Sequence, residues 1–122
     1  MTIPYWLDEA APRFPPASDG HVDVAVVGGG VTGCACALAL AEAGLRVRIY
    51  DEREIAGGAS GRNGGFALRG AAAPYDVVAE SIGREAAAAL WRWTEAELDV
   101  LEPLAGDAFR RVGSLRLAVD AE

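Results

Sequence analysis

The sequence predicts an α/β fold that begins with one β-α-β unit. Three segments carry the prediction: a valine-rich run at residues 23–27, an Ala- and Leu-rich helical stretch at residues 34–43, and a second apolar run at residues 46–51. Gly44 follows the helical stretch at the position where glycine often ends a helix. Because the first run is almost continuous valine, we expect its strand to be buried on both faces of a parallel sheet.

Composition fits one globular domain with a core. The chain has 122 residues, of which 52% are hydrophobic, and a net charge of −7. An acidic protein is a poor partner for nucleic acid, since phosphate contacts need clustered Lys or Arg. We expect no membrane span, because no stretch is long and apolar enough. The N-terminus lacks the pattern of a secretory signal, so the expected location is the cytoplasm.

Three glycines join the first strand to the helix with the spacing Gly-x-Gly-x-x-Gly. Gly28 is predicted to allow the tight turn, Gly30 to let a pyrophosphate approach the backbone, and Gly33 to let the helix pack on the strand. Val31 and Thr32 lie between them, where N–H groups at the start of a helix attract phosphate. With a strand on each side and a helix between, the motif predicts a Rossmann-like dinucleotide-binding unit.

The residues after the second strand bear on the choice of dinucleotide. Asp51 ends that strand, where an acid accepts hydrogen bonds from the adenosine ribose of either NAD or FAD. A second glycine-rich run then occupies residues 57–66. Its glycines allow close approach to a long cofactor, Ser60 and Asn63 offer hydrogen bonds, and Arg62 could neutralise phosphate. This run favours FAD; an NAD-type Rossmann oxidoreductase is the alternative.

The chain offers few groups for metal or acid–base chemistry. Cys34 and Cys36 are two residues apart on the helix and therefore point to different faces, so we expect them to be small residues packed near the sheet. His21 is the only histidine and is predicted to be exposed. We predict no metal site and assign no catalytic acid or base within this chain.

Three domains or parts of domains are predicted. Residues 1–21 form an irregular arm rich in proline, whose aromatic residues predict that it lies on a surface. Residues 22–72 hold the β-α-β unit and the glycine-rich loop. Residues 73–122 hold a helical segment and then a strand.

The helical segment is predicted at residues 76–104, with a break at Gly83 and an end or kink at Pro103. A half-buried strand is predicted at residues 115–119, after the turn residues Gly113 and Ser114. Apolar or small residues recur at helical spacing on one face of the helical segment: Ala87, Leu90, Trp91, Thr94, Leu98 and Leu101.

Two segments, Val24–Gly33 and Asp51–Phe66, resemble the N-terminus of FAD-dependent oxidoreductases of the D-amino acid oxidase type, a group that includes glycine and sarcosine oxidases. Residues 59–65 and the arm at residues 5–8 look most like the γ-glutamylputrescine oxidoreductase branch. The resemblance implies an FAD cofactor, an amine or amino-acid substrate, hydride transfer from its C–N bond to flavin, and O₂ or another electron acceptor.

The resemblance also implies a set of cofactor contacts. Glu52 or Arg53 would lie near the ribose held by Asp51. Some relatives attach flavin through a histidine in the following loop, and this sequence has none between Asp51 and Phe66. The residues that would follow the phosphates and ribityl chain are Ser60, Arg62, Asn63, Gly64 and Gly65.

Oxidoreductases of this type have several more sheet strands and a substrate domain. We therefore expect the sequence to be the N-terminal part of a larger protein, with an incomplete FAD-binding unit and the start of a substrate domain. An inactive truncated remnant is the alternative to a working oxidoreductase.

Overall fold

The structure is a computed structural model, and it describes residues 2–8, 14 and 19–115. It divides the chain into two compact units, residues 1–65 and residues 66–122. In chain order the helices and strands are α1 (Tyr5–Asp8), β1 (Val24–Val27), α2 (Val31–Glu42), β2 (Val47–Tyr50), α3 (Tyr75–Ile82) and α4 (Arg84–Ala105).

The first unit is built on the predicted β-α-β arrangement. Strands β1 and β2 are parallel, with Val24 opposite Val47 and Val26 opposite Ile49. Helix α2 begins at Val31, three residues before the predicted start. These elements confirm a mixed α/β fold with a small two-stranded parallel sheet.

Glycine ends helix α2 as the sequence predicts. Gly44 has a φ of +87°, a left-handed conformation that other residues rarely adopt. Its N–H donates to the carbonyl of Ala41 at 2.9 Å, and the N–H of Leu45 donates to the carbonyl of Leu40 at 3.1 Å. The last carbonyls of the helix are thereby bonded before the chain enters β2.

The burial of β1 differs from the prediction. Val24 and Val26 are half-buried, whereas Ala25 is exposed and Val27 is 88% exposed. Side chains alternate between the faces of a strand, and α2 covers one of them. Among the described residues of this unit, the second face of β1 stays exposed, so the expectation of burial on both faces is wrong here.

The N-terminal arm is not wholly irregular. Tyr5–Asp8 form the single helical turn α1, and the N–H of Leu7 donates to the carbonyl of Pro4 at 2.9 Å. A proline just before a helical turn is compatible with it, because the first N–H groups of a helix have no partner in the helix. The arm rests on the glycine-rich loop, as its aromatic residues predict; Pro12, Pro15 and Pro16 lie outside the described residues.

The second unit is a helical pair broken at Gly83, as predicted. Gly83 has a φ of +88° and ends α3 before α4 begins. Ala87 is fully buried, and the rings of Tyr75 and Trp91 meet edge to face with centroids 5.1 Å apart. The N–H of Gly70 donates to the Thr94 hydroxyl at 2.7 Å.

The apolar face of α4 is buried or half-buried from Ala87 to Leu98, which confirms its predicted orientation, while Leu101 is 38% exposed. The helix continues past Pro103 and ends at Ala105, one residue beyond the predicted range and two beyond an end at Pro103. Gly106, with a φ of +52°, ends it instead. Most of the strand predicted at residues 115–119 lies outside the described residues, and Leu115 has no regular structure.

Candidate cofactor site

An open cleft of about 410 Å³ lies where β1 turns into α2; we call it the α2 cleft. It is lined by three residues that sequence reasoning did not select, Val26, Val27 and Cys36. It also brings together six of the predicted cofactor residues: Gly28, Gly30, Val31, Thr32, Gly33 and Ser60.

Each glycine of the motif has a distinct structural reason. Gly28 has a φ of +103°, which makes the turn out of β1. A β-carbon on Gly33 would overlap the carbonyl oxygen of Gly28, so only glycine lets α2 lie this close to the turn. A β-carbon on Gly30 would lie 3.0 Å from the hydroxyl oxygen of Ser60. Gly30 therefore keeps open the space between the helix start and the second loop.

The N-terminus of α2 opens into the cleft. The hydroxyl oxygen of Ser60 accepts a hydrogen bond from the N–H of Val31 at 2.9 Å, which leaves the hydroxyl hydrogen free to donate. The N–H groups of Thr32 and Gly33 belong to the first turn and have no acceptor within the helix. Together with the positive end of the helix dipole, these groups fit an anion such as a pyrophosphate.

Asp51 is fixed at the end of β2 by two backbone bonds. One carboxylate oxygen accepts the N–H of Gly29 at 2.6 Å, and the other accepts the N–H of Arg53 at 2.8 Å. The bonds from Gly29 and then from Arg53 lower the pKa of Asp51, so the group is ionised at neutral pH. Each oxygen keeps a further lone pair that fits a ribose hydroxyl.

Four charged residues of the predicted set lie outside the residues that line the cleft: Asp51, Glu52, Arg53 and Arg62. The guanidinium of Arg53 pairs with Glu52 at 3.3 Å, and both side chains are exposed. The Nε of Arg62 donates to the carbonyl of Gly57 at 3.3 Å. Their roles toward a cofactor stay predictions.

The remaining predicted residues shape the loop. The side-chain amide of Asn63 donates to the carbonyl of Ser60 at 2.7 Å, and its oxygen accepts the N–H of Gly65 at 2.8 Å. Gly65 has a φ of +71°, and a β-carbon there would overlap the ring of Trp6. Gly64 is exposed. Asn63 and Gly65 thus hold the loop conformation that presents Ser60.

Sequence reasoning missed Gly29 and Ile55. Gly29 is buried, its N–H bonds to Asp51, and a β-carbon there would overlap the Cδ1 of Ile55. Its carbonyl accepts the N–H of Ala56 at 2.9 Å. The run of three glycines, Gly28–Gly30, could have indicated a special role for Gly29, because the motif requires glycine only at positions 28 and 30 of that run.

The cysteines differ from one another, and the histidine is as expected. Cys34 is half-buried, with its sulfur 3.6 Å from the carbonyl oxygen of Gly29, which agrees with a packing role. Cys36 is exposed and borders the α2 cleft, so its predicted packing role is wrong. Cys36 lies two positions after Cys34 on α2, so its side chain points to another face of the helix, and that face is exposed. His21 is exposed.

Residues 23–122 match the family described as FAD dependent oxidoreductase, DAO. The chain belongs to this family. The match confirms the predicted family, its class of enzyme and FAD as its cofactor, and it decides between the two dinucleotides in favour of FAD.

Curated relatives agree with the family. The chain is 35% identical over 91 residues to a protein named probable oxidoreductase OrdL from Haemophilus influenzae, covering 74% of this chain and 21% of that protein. It is 48% identical over 65 residues to the γ-glutamylputrescine oxidoreductase of Escherichia coli, covering 53% and 15%. A second OrdL, from Rhizobium meliloti, is 38% identical over 101 residues, covering 80% and 22%.

The chain thus spans about a fifth of the length of the OrdL relatives that it matches. No solved structure matches it significantly. In the part of the chain that the structure describes, no helix is both long and apolar enough to cross a membrane. The cytoplasmic location stays a prediction.

Proposed function

We propose that this chain supplies the pyrophosphate and adenosine side of the FAD site in an oxidoreductase that acts on the C–N bond of an amine or amino acid. One observation carries the cofactor part: the start of α2 opens into a cleft beside the Ser60 hydroxyl, and Gly30 leaves open the space that a β-carbon would fill there. That arrangement suits a diphosphate lying across a helix N-terminus.

In the proposed site, the N–H groups of Thr32 and Gly33 would bind phosphate oxygens, and the Ser60 hydroxyl would donate a third hydrogen bond. Asp51 would accept the ribose hydroxyls through its remaining lone pairs. The other predicted residues, Glu52, Arg53, Arg62, Asn63 and Gly64, would lie farther along the cofactor or fix the loop. FAD, when bound, accepts a hydride equivalent from the carbon that carries the amine.

The substrate class rests on a relative. The E. coli protein that shares 48% identity with this chain over 65 residues is named for a γ-glutamylated diamine. The family match, residues 23–122, contains both glycine-rich segments, which bind cofactor in our proposal. The likeness therefore supports FAD more strongly than it supports an amine substrate. O₂ or another acceptor would complete the reaction.

The first experiment is the visible absorption spectrum of the protein at its full natural length, before and after acid precipitation. We expect flavin bands in this spectrum. Bands released into the supernatant mean non-covalent FAD, and bands that stay with the pellet mean covalent attachment at a residue outside the histidine-free segment between Asp51 and Phe66. A colourless protein that also fails to take up added FAD would contradict the proposal and favour the inactive remnant.

A variant pair tests whether the α2 cleft is the site. Gly30→Val places a branched side chain against Ser60 and should abolish FAD uptake. Gly20→Val is the matched control, because a β-carbon at Gly20 meets no heavy atom within 4 Å. If the Gly30 variant folds and retains full flavin, the cleft does not bind the pyrophosphate. Flavin-positive protein can then be assayed for imine formation or peroxide release with amines and amino acids.

A further inference from the structure

We propose that the N-terminal turn α1 is a positioning element for the cofactor site, with Trp6 as its main contact, and this inference rests on the FAD site proposed above. The turn itself lines no part of the α2 cleft. It acts through the loop, by fixing the segment that presents Ser60 to the start of α2.

Two residues of the turn pack directly on glycines of the loop. The ring of Trp6 occupies the space where a side chain at Gly65 would lie. The Cδ2 of Leu7 would be 2.6 Å from a β-carbon on Gly61, which is buried. Gly65 is therefore needed for a reason that is independent of cofactor, because it admits the arm; at Gly61 the arm shares this role with the carbonyl oxygen of Ala56, which would lie 2.5 Å from the same β-carbon.

A hydrogen bond fixes the position of the turn along the loop. The Nε1 of Trp6 donates to the main-chain carbonyl of Asn63 at 3.2 Å, across 57 residues of sequence. The side chain of Asn63 in turn bonds the carbonyl of Ser60 and the N–H of Gly65. Trp6 is thus linked through Asn63 to the backbone of Ser60.

The last link reaches the cofactor cleft. The Ser60 hydroxyl accepts the N–H of Val31 at 2.9 Å, so its position depends on how the loop is held over α2. Loops with several glycines lose much conformational entropy on ordering. An arm that holds the loop before cofactor arrives removes part of that cost from binding, which should appear as tighter FAD binding.

The test is a double-mutant cycle on FAD affinity in the full natural-length protein, prepared without flavin and titrated with FAD. The four proteins are the unmodified protein, Trp6→Ala, Ser60→Ala and the double variant. We expect Trp6→Ala to raise Kd about tenfold, and to have little effect once Ser60 is already alanine. Trp6→Phe keeps an aromatic ring over Gly65 but loses the bond to Asn63, so we expect a rise of about threefold.

Ile3→Ala is the control, since Ile3 lies in the same arm and is 67% exposed; its Kd should not change. Hydrogen exchange without FAD gives a second measurement: Trp6→Ala should speed exchange at residues 57–65 and leave β1 unchanged. An unchanged Kd for both Trp6 variants, or additive effects of Trp6→Ala and Ser60→Ala, would overturn the positioning role. If Trp6→Ala does not fold, Trp6→Phe alone decides, through its Kd in both Ser60 backgrounds. Failure of the unmodified protein to bind FAD would instead refute the proposed function.

Discussion

Two glycines near the α2 cleft, Gly33 in residues 28–33 and Gly65 in residues 57–65, are required by different neighbours. In the first segment, Gly33 lies against the carbonyl of Gly28, within one β-α turn. In the second, Gly65 lies against Trp6 of the arm, which is more than fifty residues away in sequence. Gly33 is therefore required by local geometry, and Gly65 by a distant contact.

Glycine is therefore required at this site for two different physical reasons. Where local geometry requires glycine, the flanking strand and helix fix its position, so its spacing can be recognised as a sequence motif. A glycine shaped by a distant contact needs that contact to be known. The following predictions compare a glycine with a local backbone neighbour, Gly33, and a glycine with a distant side-chain neighbour, Gly29.

The largest effect is expected at Gly33. Gly33→Ala places a methyl group on the Gly28 carbonyl oxygen, a backbone atom that cannot rotate away, so α2 must move from β1. We expect the free energy of unfolding to fall by about 3 kcal/mol or more, measured by chemical denaturation of the full natural-length protein. Gly20→Ala, where the β-carbon meets open space, is the control. Equal stability of the two variants would contradict the local origin of the motif.

A smaller effect is expected at Gly29, whose neighbour is a side chain. Gly29→Ala overlaps the Cδ1 of Ile55, the end of a side chain that can shift, so we expect a loss of about 2 kcal/mol. Ile55→Val removes that methyl group and alone should cost about 1 kcal/mol. In the double variant the overlap is gone, so the losses should be less than additive by about 1 kcal/mol. Additive losses would mean that Gly29 is needed for another reason.

The sequence predicted the parts of the site that regular structure determines. The β-α-β unit, the three motif glycines and the cap at Gly44 all follow from the order of strand, turn and helix, and the structure has them. The bond from Ser60 to the start of α2 could not be predicted, because it depends on how a loop folds back across the sheet edge.

Other differences have the same cause. The exposure of Val27 depends on what covers the second face of β1, which a valine run does not specify. The helical turn at Tyr5–Asp8 is held by its contacts with the loop, whereas proline content alone predicted an irregular arm. Tertiary contacts between distant residues decide each of these features, and local propensity does not contain them.

Asp51 joins the first glycine segment to the residues that follow β2, and the effect of replacing it is expected to depend on pH. Its carboxylate accepts the N–H of Gly29 on one side and of Arg53 on the other, and these bonds lower its pKa. A carboxyl whose pKa is lowered by folding stabilises the folded state above its unfolded pKa of about 3.9, and this contribution is lost as the pH falls through the folded value. Asp51→Asn should therefore unfold at a lower temperature at pH 7 and lose less stability than the unmodified protein on acidification below about pH 4.

Asp23→Asn distinguishes a general effect of acid from a role in the site. Arg46 pairs with Asp23 at 2.9 Å and lowers its pKa to about 2, at the opposite end of the same strands. Both variants should weaken the dependence of unfolding temperature on acidic pH, because in each protein one stabilised carboxylate is gone. Only Asp51→Asn should also weaken FAD binding, since only Asp51 lies beside the glycine turn at the α2 cleft. Equal FAD affinity of the two variants would mean that Asp51 links the glycine turn to the residues after β2 and has no part in holding the ribose.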